Sequence, residues 1–134
     1  METQKDLHAA KIVPNKQAAG IRLGGRRTTI VKHWGEPKLV EQISSQCERL
    51  EYESLMFWLT DGKVDQIGVF REYRGTTREN IGLGSTRSDV EAVYGELEWD
   101  GAWNIVSPPF GFGFDFESDM TGEQYVSGIY TFSQ

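Results

Sequence analysis

The chain has 134 residues, one cysteine and a net charge of −6, with a pI near 4.9. One domain of this length can bury most of its apolar surface, whereas the negative charge argues against the clustered Lys and Arg that a nucleic-acid surface needs. The single cysteine, Cys47, excludes an internal disulfide and favours a reducing compartment.

Residues 1–19 are polar, with Pro14-Asn15 as a break, and they predict a partly ordered N-terminal tail. The start of this segment lacks the apolar core of a signal peptide. No apolar run in the chain is long enough to span a bilayer. We therefore expect a cytoplasmic protein that contacts neither a membrane nor nucleic acid.

A single domain is predicted over residues 20–134, because one sequence motif occurs twice at a spacing of about 60 residues. The first copy begins with Ile21-Arg22-Leu23-Gly24, and the second begins with Ile81-Gly82-Leu83-Gly84. Each copy then reaches a Gly-Glu pair, at Gly35 and at Gly95. This pattern predicts two repeats, 20–74 and 75–134, each too small to cover its own sheet.

A short helix is predicted in each copy. In the second copy Thr86 is a candidate N-cap, and Asp89 three residues later completes a variant of the capping box. The first copy has Arg26 at the cap position, so its helix must begin without that side-chain contact. Gly35 and Gly95 are expected to end the helices.

Strands are predicted after each helix. Asp61-Gly62 lies between two apolar runs and is a strong hairpin signal. With a three-residue turn, one face carries Leu55, Phe57, Leu59, Ile67 and Val69, and the other carries Met56, Trp58, Val64, Gln66 and Phe70. A two-residue turn would exchange the faces of the second strand. Four phenylalanines at alternate positions from Phe110 to Phe116 predict another half-buried strand.

The Ile-x-Leu-Gly lead, the short helix, the Gly-Glu stop and the meander with an Asp-Gly hairpin resemble a known fold group. They are similar to the repeat of the beta-lactamase inhibitor protein (BLIP-like) family and to the SmpA/OmlA (BamE) outer-membrane lipoproteins. The resemblance covers about residues 20–132. It implies an α+β fold in which a tandem pair of repeats, each a short helix plus an antiparallel meander, forms one continuous antiparallel sheet. The helices would cover one face, and the other would be open to another protein.

No residue set in the chain predicts an active site. The glycines before each helix complete no phosphate-binding pattern. His33 and Cys47 are the candidate base and nucleophile, but a packed thiol and a surface histidine are the favoured interpretation. Asp115, Glu117 and Asp119 lack the loop and the histidine of a metal site. We therefore expect a protein that is not an enzyme and that needs neither a cofactor nor a metal.

Large aromatic residues are numerous for a domain of this size, and aromatic anchors surrounded by charge are typical of protein interfaces. The alternative, in which these rings fill the core and the sheet edges, stays open. The predicted partner-binding residues are Glu51, Glu53, Met56, Trp58, Phe70, Trp103, Asp115 and Glu117.

The predicted function is a non-enzymatic protein-binding module of bacterial type. In its specific form it is a small intracellular inhibitor or immunity-type protein that occludes a basic protein partner, a toxin or an enzyme, with its acidic aromatic face. The alternative is a small-ligand or peptide sensor whose groove has Trp99, Trp103 and Pro108-Pro109 at its lip. Homodimerisation by pairing of sheet edges is compatible with either function.

Overall fold

The computed structural model describes residues 7–100, 103–105 and 111–132, with side chains for 7–98 and 111–132. Two α-helices lie in this part of the chain, α1 (Arg27–Trp34) and α2 (Arg87–Tyr94), after a short 3-10 helix (Leu7–Ala9). The strands are β1 (Gln17–Ala18), β2 (Ile21–Arg22), β3 (Leu39–Gln42), β4 (Cys47–Glu51), β5 (Leu55–Thr60), β6 (Lys63–Phe70), β7 (Glu98–Asp100), β8 (Trp103–Ile105), β9 (Phe112–Ser118) and β10 (Gln124–Phe132).

The strands divide between two antiparallel sheets. β1 and β2 form a small sheet of their own, and the other eight strands form one sheet in the order β3-β4-β5-β6-β10-β9-β8-β7. The predicted α+β class is therefore correct at the level of a mostly antiparallel sheet with two helices. Neither helix in the described residues is long and apolar enough to cross a membrane.

The finer prediction, a tandem pair of repeats in a single continuous sheet, is not supported. Ile21 pairs with Ala18 in the separate two-stranded sheet, whereas Ile81 lies outside the strands. The helix starts differ as well, because Thr86 caps α2 through a capping box and Arg26 makes no side-chain cap bond. The matching residues mark similar turns that glycine favours, and such turns do not make two segments equivalent.

One face of the eight-stranded sheet carries the core. Leu55, Phe57 and Leu59 are fully buried and alternate with half-buried residues along β5. Each α-helix adds one fully buried side chain to the same cluster, Ile30 from α1 and Val90 from α2. The opposite face of the sheet, called the open face below, contributes little to this cluster.

The hairpin at Asp61-Gly62 is confirmed, but its turn differs from the predicted one. Thr60 pairs with Lys63, so the loop has two residues, and their φ angles of 52° and 79° suit a type I′ turn. A bulge then leaves Asp65 out of the β5–β6 register. Because of this extra residue, β6 from Gln66 onward has the faces that were predicted for a three-residue turn. Val64 alone changes sides and joins the core, and the predicted core face is otherwise correct for Leu55, Phe57, Leu59, Ile67 and Val69.

The segment before α1 packs against the domain from Leu7 onward, and the partly ordered tail over residues 1–19 stays a prediction. Ile12 and Ala19 are among the most buried residues of the core. The hydroxyl of Thr131 donates a 3.0 Å hydrogen bond to the Val13 carbonyl and accepts one of 2.9 Å from the Asn15 N–H. These contacts depend on a strand at the other end of the chain, so local composition could not reveal them. Residues 1–6 lie outside the described part.

Candidate functional site

The open face carries a row of directly opposed residues that crosses five strands from β4 to β9. Directly opposed residues in an antiparallel pair share a face of the sheet. The row runs through the middle of the sheet and consists of Glu51, Met56, Gly68, Tyr130 and Gly113.

An aromatic floor, defined as Met56, Trp58, Phe70 and Tyr130, lies on this face. The ring centroids of Trp58 and Tyr130 are 6.1 Å apart, and those of Phe70 and Tyr130 are 5.6 Å apart. Tyr130 is only 8% exposed, while the other three members are half-buried. The floor therefore combines a packed centre with rings and a thioether that remain partly accessible.

Two glycines make room for the aromatic floor. A Cβ atom at Gly68 would lie 2.8 Å from Cε1 of Tyr130 and 2.9 Å from Cζ of Phe70. At Gly128 it would lie 3.1 Å from Cδ1 of Phe70. A glycine inside a strand often marks such a close approach. The rings can therefore lie directly over the backbones of β6 and β10.

A depression of about 350 Å³ opens beside the floor. A second depression of about 380 Å³ adjoins it and shares Arg71, Glu117 and Ser127 with it. Ser127 is the residue that a bulge leaves out of the β9–β10 register, and bulges often lie next to functional sites. The first depression is lined by Glu51, Tyr52, Met56, Phe70, Arg71, Asp115, Glu117, Ser127 and Tyr130.

Two carboxylates in the depression form no ion pair with any residue that the structure describes. Glu51 is paired with Arg49 at 3.0 Å. Asp115 accepts a 2.7 Å hydrogen bond from the Tyr130 hydroxyl, and neither it nor Glu117 belongs to an ion pair among the described residues. Burial, followed by the bond to Asp115 and its charge, raises the pKa of Tyr130 above the ordinary 10.0. The phenol therefore stays protonated and keeps its donor on Asp115 at neutral pH.

Comparisons with known proteins identify the fold through solved structures. No protein-family profile matches the chain, and no curated protein matches it either. A cysteine-rich secretory protein of Staphylococcus aureus subsp. aureus Mu50 aligns with 91% of this chain and 47% of its own, with a TM-score of 0.58 and 6% identity. An extracellular protein containing an SCP domain, from Bacillus anthracis strain Ames, aligns over 100% and 50%, with a TM-score of 0.51 and 13% identity. The chain thus spans about half the length of these proteins.

These matches contradict the resemblance drawn from the sequence. The similar structures are described as SCP-domain or cysteine-rich secretory proteins and not as members of the BLIP-like or BamE groups. The BLIP-like, tandem-repeat and immunity-type descriptions are therefore wrong. Short glycine and turn motifs recur at many strand-to-helix turns, which explains the error. At 6% and 13% identity the matches show the fold alone, so the cytoplasmic location stays a prediction.

Most of the predicted partner-binding residues lie close together. The first depression is lined by five of them, Glu51, Met56, Phe70, Asp115 and Glu117. The Trp58 ring packs against the ring of Tyr130, which also lines this depression. Their role in binding stays a prediction.

Two predicted residues do not join this group. Glu53 lies in the turn after β4, where its carboxylate accepts a 3.0 Å hydrogen bond from Lys38. This bond, with the charge of Lys38, lowers the pKa of Glu53. The backbone of Trp103 lies in β8, but its side chain is outside the described part, as are the side chain of Trp99 and all of Pro108-Pro109.

Sequence reasoning missed Tyr130, which is the centre of the floor. Gly68 inside an apolar strand was a possible signal of a ring lying across it. The pairing of β6 with β10 was needed to identify that ring. Arg71 and Ser127 were also missed, because their positions depend on the sheet. Arg71 directly follows the end of β6, and Ser127 is the bulge residue of β10.

The other candidate chemistries gain no geometric support in the described residues. His33 is exposed on α1 and Cys47 begins β4, with no hydrogen bond between them in that part of the structure. The Gly84 N–H, which a phosphate would need, donates instead to the Val126 carbonyl at 2.9 Å. One oxygen of Asp119 accepts hydrogen bonds within its own turn. Among the described side chains, no group of three or more His, Cys, Asp or Glu residues could hold a metal ion.

Proposed function

We propose that the domain binds a protein partner through the open face of its eight-stranded sheet and that it catalyses no reaction. The observation that carries the proposal is the aromatic floor, which places large side chains beside two carboxylates that form no ion pair within the described part of the chain. Aromatic and methionine side chains are enriched at interface centres, and polar groups surround them. Trp and Tyr are also the commonest hot-spot residues.

The charges on this face favour a basic partner. A neutral surface placed over Asp115 and Glu117 would remove their water without supplying an opposite charge, which is unfavourable. A basic surface would compensate both carboxylates. The overall charge of −6 would also accelerate the approach of a cationic protein.

Affinity capture tests this proposal. The tagged protein would be incubated at low salt with lysate from its host, and the proteins released by a salt step would be identified by mass spectrometry. We expect one stoichiometric basic protein on the wild type. Trp58→Ala should weaken its binding by about 2 kcal/mol or more, the size of a hot-spot effect. Val93→Ala removes an exposed apolar residue from α2 instead and should bind like the wild type.

Both variants would be checked for folding by circular dichroism before capture. Equal retention of the basic protein by the wild type and Trp58→Ala would contradict the assignment of the open face. The absence of any stoichiometric partner, from a host shown to synthesise basic candidates, would contradict protein binding.

A small-ligand sensor is the second candidate, because the depression of about 350 Å³ falls within the size range of small-molecule sites. A metabolite that binds the folded state alone would raise the unfolding temperature. A thermal-shift screen without any protein partner separates the two functions.

A further inference from the structure

We infer that the depression beside the aromatic floor receives one arginine side chain of the protein partner. This inference rests on the proposed function and specifies the chemistry of its central contact. The guanidinium would lie against Phe70 and Tyr130 and donate to Asp115 and Glu117. All four residues line the same depression.

The two carboxylates are suitably placed for one planar cation. Asp115 is opposite Gly128 and Glu117 is opposite Tyr125, so both point from β9 toward the open face. Alternate residues of a strand lie roughly 7 Å apart, and a guanidinium has five donors on its edges. The Tyr130 hydroxyl already donates to Oδ2 of Asp115, which leaves Oδ1 to accept from an incoming donor.

The rings favour a guanidinium over an ammonium. Arginine is planar and weakly hydrated, and it stacks on aromatic faces better than lysine does. The domain already uses this contact twice, since Arg49 lies 6.0 Å from the Trp58 ring and Arg87 lies 5.0 Å from the Phe116 ring. Arg49 thus covers the Trp58 end of the floor. The depression lies at the Phe70 and Tyr130 end.

The charges around the depression select a cation. Three carboxylates line it together with one guanidinium, that of Arg71. Nη1 of Arg71 donates to the Glu53 carbonyl at 2.6 Å, and among the described residues Arg71 forms no ion pair with a lining carboxylate. Of the three lining carboxylates, Arg49 pairs with that of Glu51, and it shares its charge with Glu41 outside the depression. The remaining negative charge belongs to Asp115 and Glu117.

Nuclear magnetic resonance titration tests the inference on the full chain. The probe is N-acetyl-arginine amide, and the control is N-acetyl-citrulline amide, which has nearly the same shape without the charge. We expect saturable shifts of the Gly113, Ser127 and Gly128 amides with the arginine probe, at a Kd of about 1 mM or weaker. The citrulline probe should bind at least about tenfold more weakly, because it lacks the charge-assisted contacts.

Matched variants locate the effect. Asp115→Asn should weaken the arginine probe about tenfold, as expected for one hydrogen bond to a charged group. Glu96→Gln makes the same change of charge at an exposed position beyond α2 and should leave the affinity within about twofold. Equal binding of the arginine and citrulline probes, or of wild type and Asp115→Asn, would overturn the inference.

The two proposals fail separately. If the arginine probe gives no saturable shift while Trp58→Ala still abolishes capture of a basic protein, the arginine subsite is wrong and the proposed function stands. If the probe binds as expected but no protein is captured, the chemistry of the subsite is supported and the proposed function fails.

Discussion

Tyr130 and Asp115 are joined by a 2.7 Å hydrogen bond that runs diagonally between two neighbouring strands. Tyr130 is directly opposite Gly113, and Asp115 is directly opposite Gly128. Each pair therefore contains one glycine, which leaves space for the phenol to reach across. The contact orders a carboxylate in the centre of the open face.

Tyr130→Phe should lower the free energy of unfolding by about 1 kcal/mol, because it removes one hydrogen bond to a charged, partly buried group. Urea denaturation at neutral pH measures the change. Tyr125→Phe is the matched control on the same strand, since no hydrogen bond of its hydroxyl is seen in the described residues; it should shift stability by less than about 0.5 kcal/mol. Equal effects of the two variants would show that the bond contributes nothing.

The stability of the domain should fall in alkali. Burial raises the pKa values of both Tyr130 and Tyr94 above the ordinary 10.0; Thr77 partly offsets the rise at Tyr94, and the Glu79 carboxylate adds to it. The unfolded chain therefore releases these protons at a lower pH than the folded chain does. The stabilisation is complete below about pH 10 and is lost progressively as the pH rises toward the folded-state values.

Denaturation midpoints between about pH 8 and pH 11 measure this dependence. Tyr130→Phe and Tyr94→Phe should each reduce the slope above the ordinary tyrosine pKa. An unchanged slope in both variants would refute the assignment.

Gly68→Ala should disturb the aromatic floor, because the new Cβ would lie less than 3 Å from atoms of both Tyr130 and Phe70. Displacing packed rings costs roughly 1–3 kcal/mol. Near-ultraviolet circular dichroism and denaturation would report the ring movement and the loss of stability. Gln66→Ala, two residues earlier on the same strand, should change both much less, and a neutral Gly68→Ala would show that the rings can move freely.

The helix starts provide a matched pair of substitutions. The Thr86 side chain accepts a 3.1 Å hydrogen bond from the Asp89 N–H, and the Asp89 carboxylate accepts one of 3.1 Å from the Thr86 N–H. Thr86→Ala should therefore cost about 1 kcal/mol of stability. Arg26→Ala changes the equivalent position of α1, where no side-chain cap bond exists, and should be nearly neutral. Equal losses would argue against the capping box as the cause.

Local patterns predicted the parts of the fold that depend on neighbouring residues. Alternation identified the core face of β5, and the Asp61-Gly62 pair identified the hairpin. The bulge at Asp65 escaped prediction, yet it corrected the effect of the shorter turn. The resemblance to the BLIP-like and BamE groups was wrong, because it depended on glycine positions in turns. Such positions reflect backbone geometry and do not show a family relationship.

The parts that depend on distant pairing could not be predicted. Tyr130 reaches the floor only because β10 lies beside β6, and no local pattern sets that strand order. The same limit applies to Asp115, whose position in the depression follows from the β9–β10 register. Residue types suggested an aromatic and acidic face, but its centre required the structure.

The hydroxyl of Thr131 imposes an order on the assembly of the chain. It holds Asn15 and Val13 across sequence separations of 116 and 118 residues. On a ribosome, the early segment emerges long before this threonine exists, so these two hydrogen bonds can form only when synthesis is almost complete. Contacts of such large separation form slowly, and we expect the amide of Asn15 to gain protection after those of β5 and β6 in pulse-labelled hydrogen exchange. Two hydrogen bonds of an early segment are thus among the last that the described part of the chain can complete.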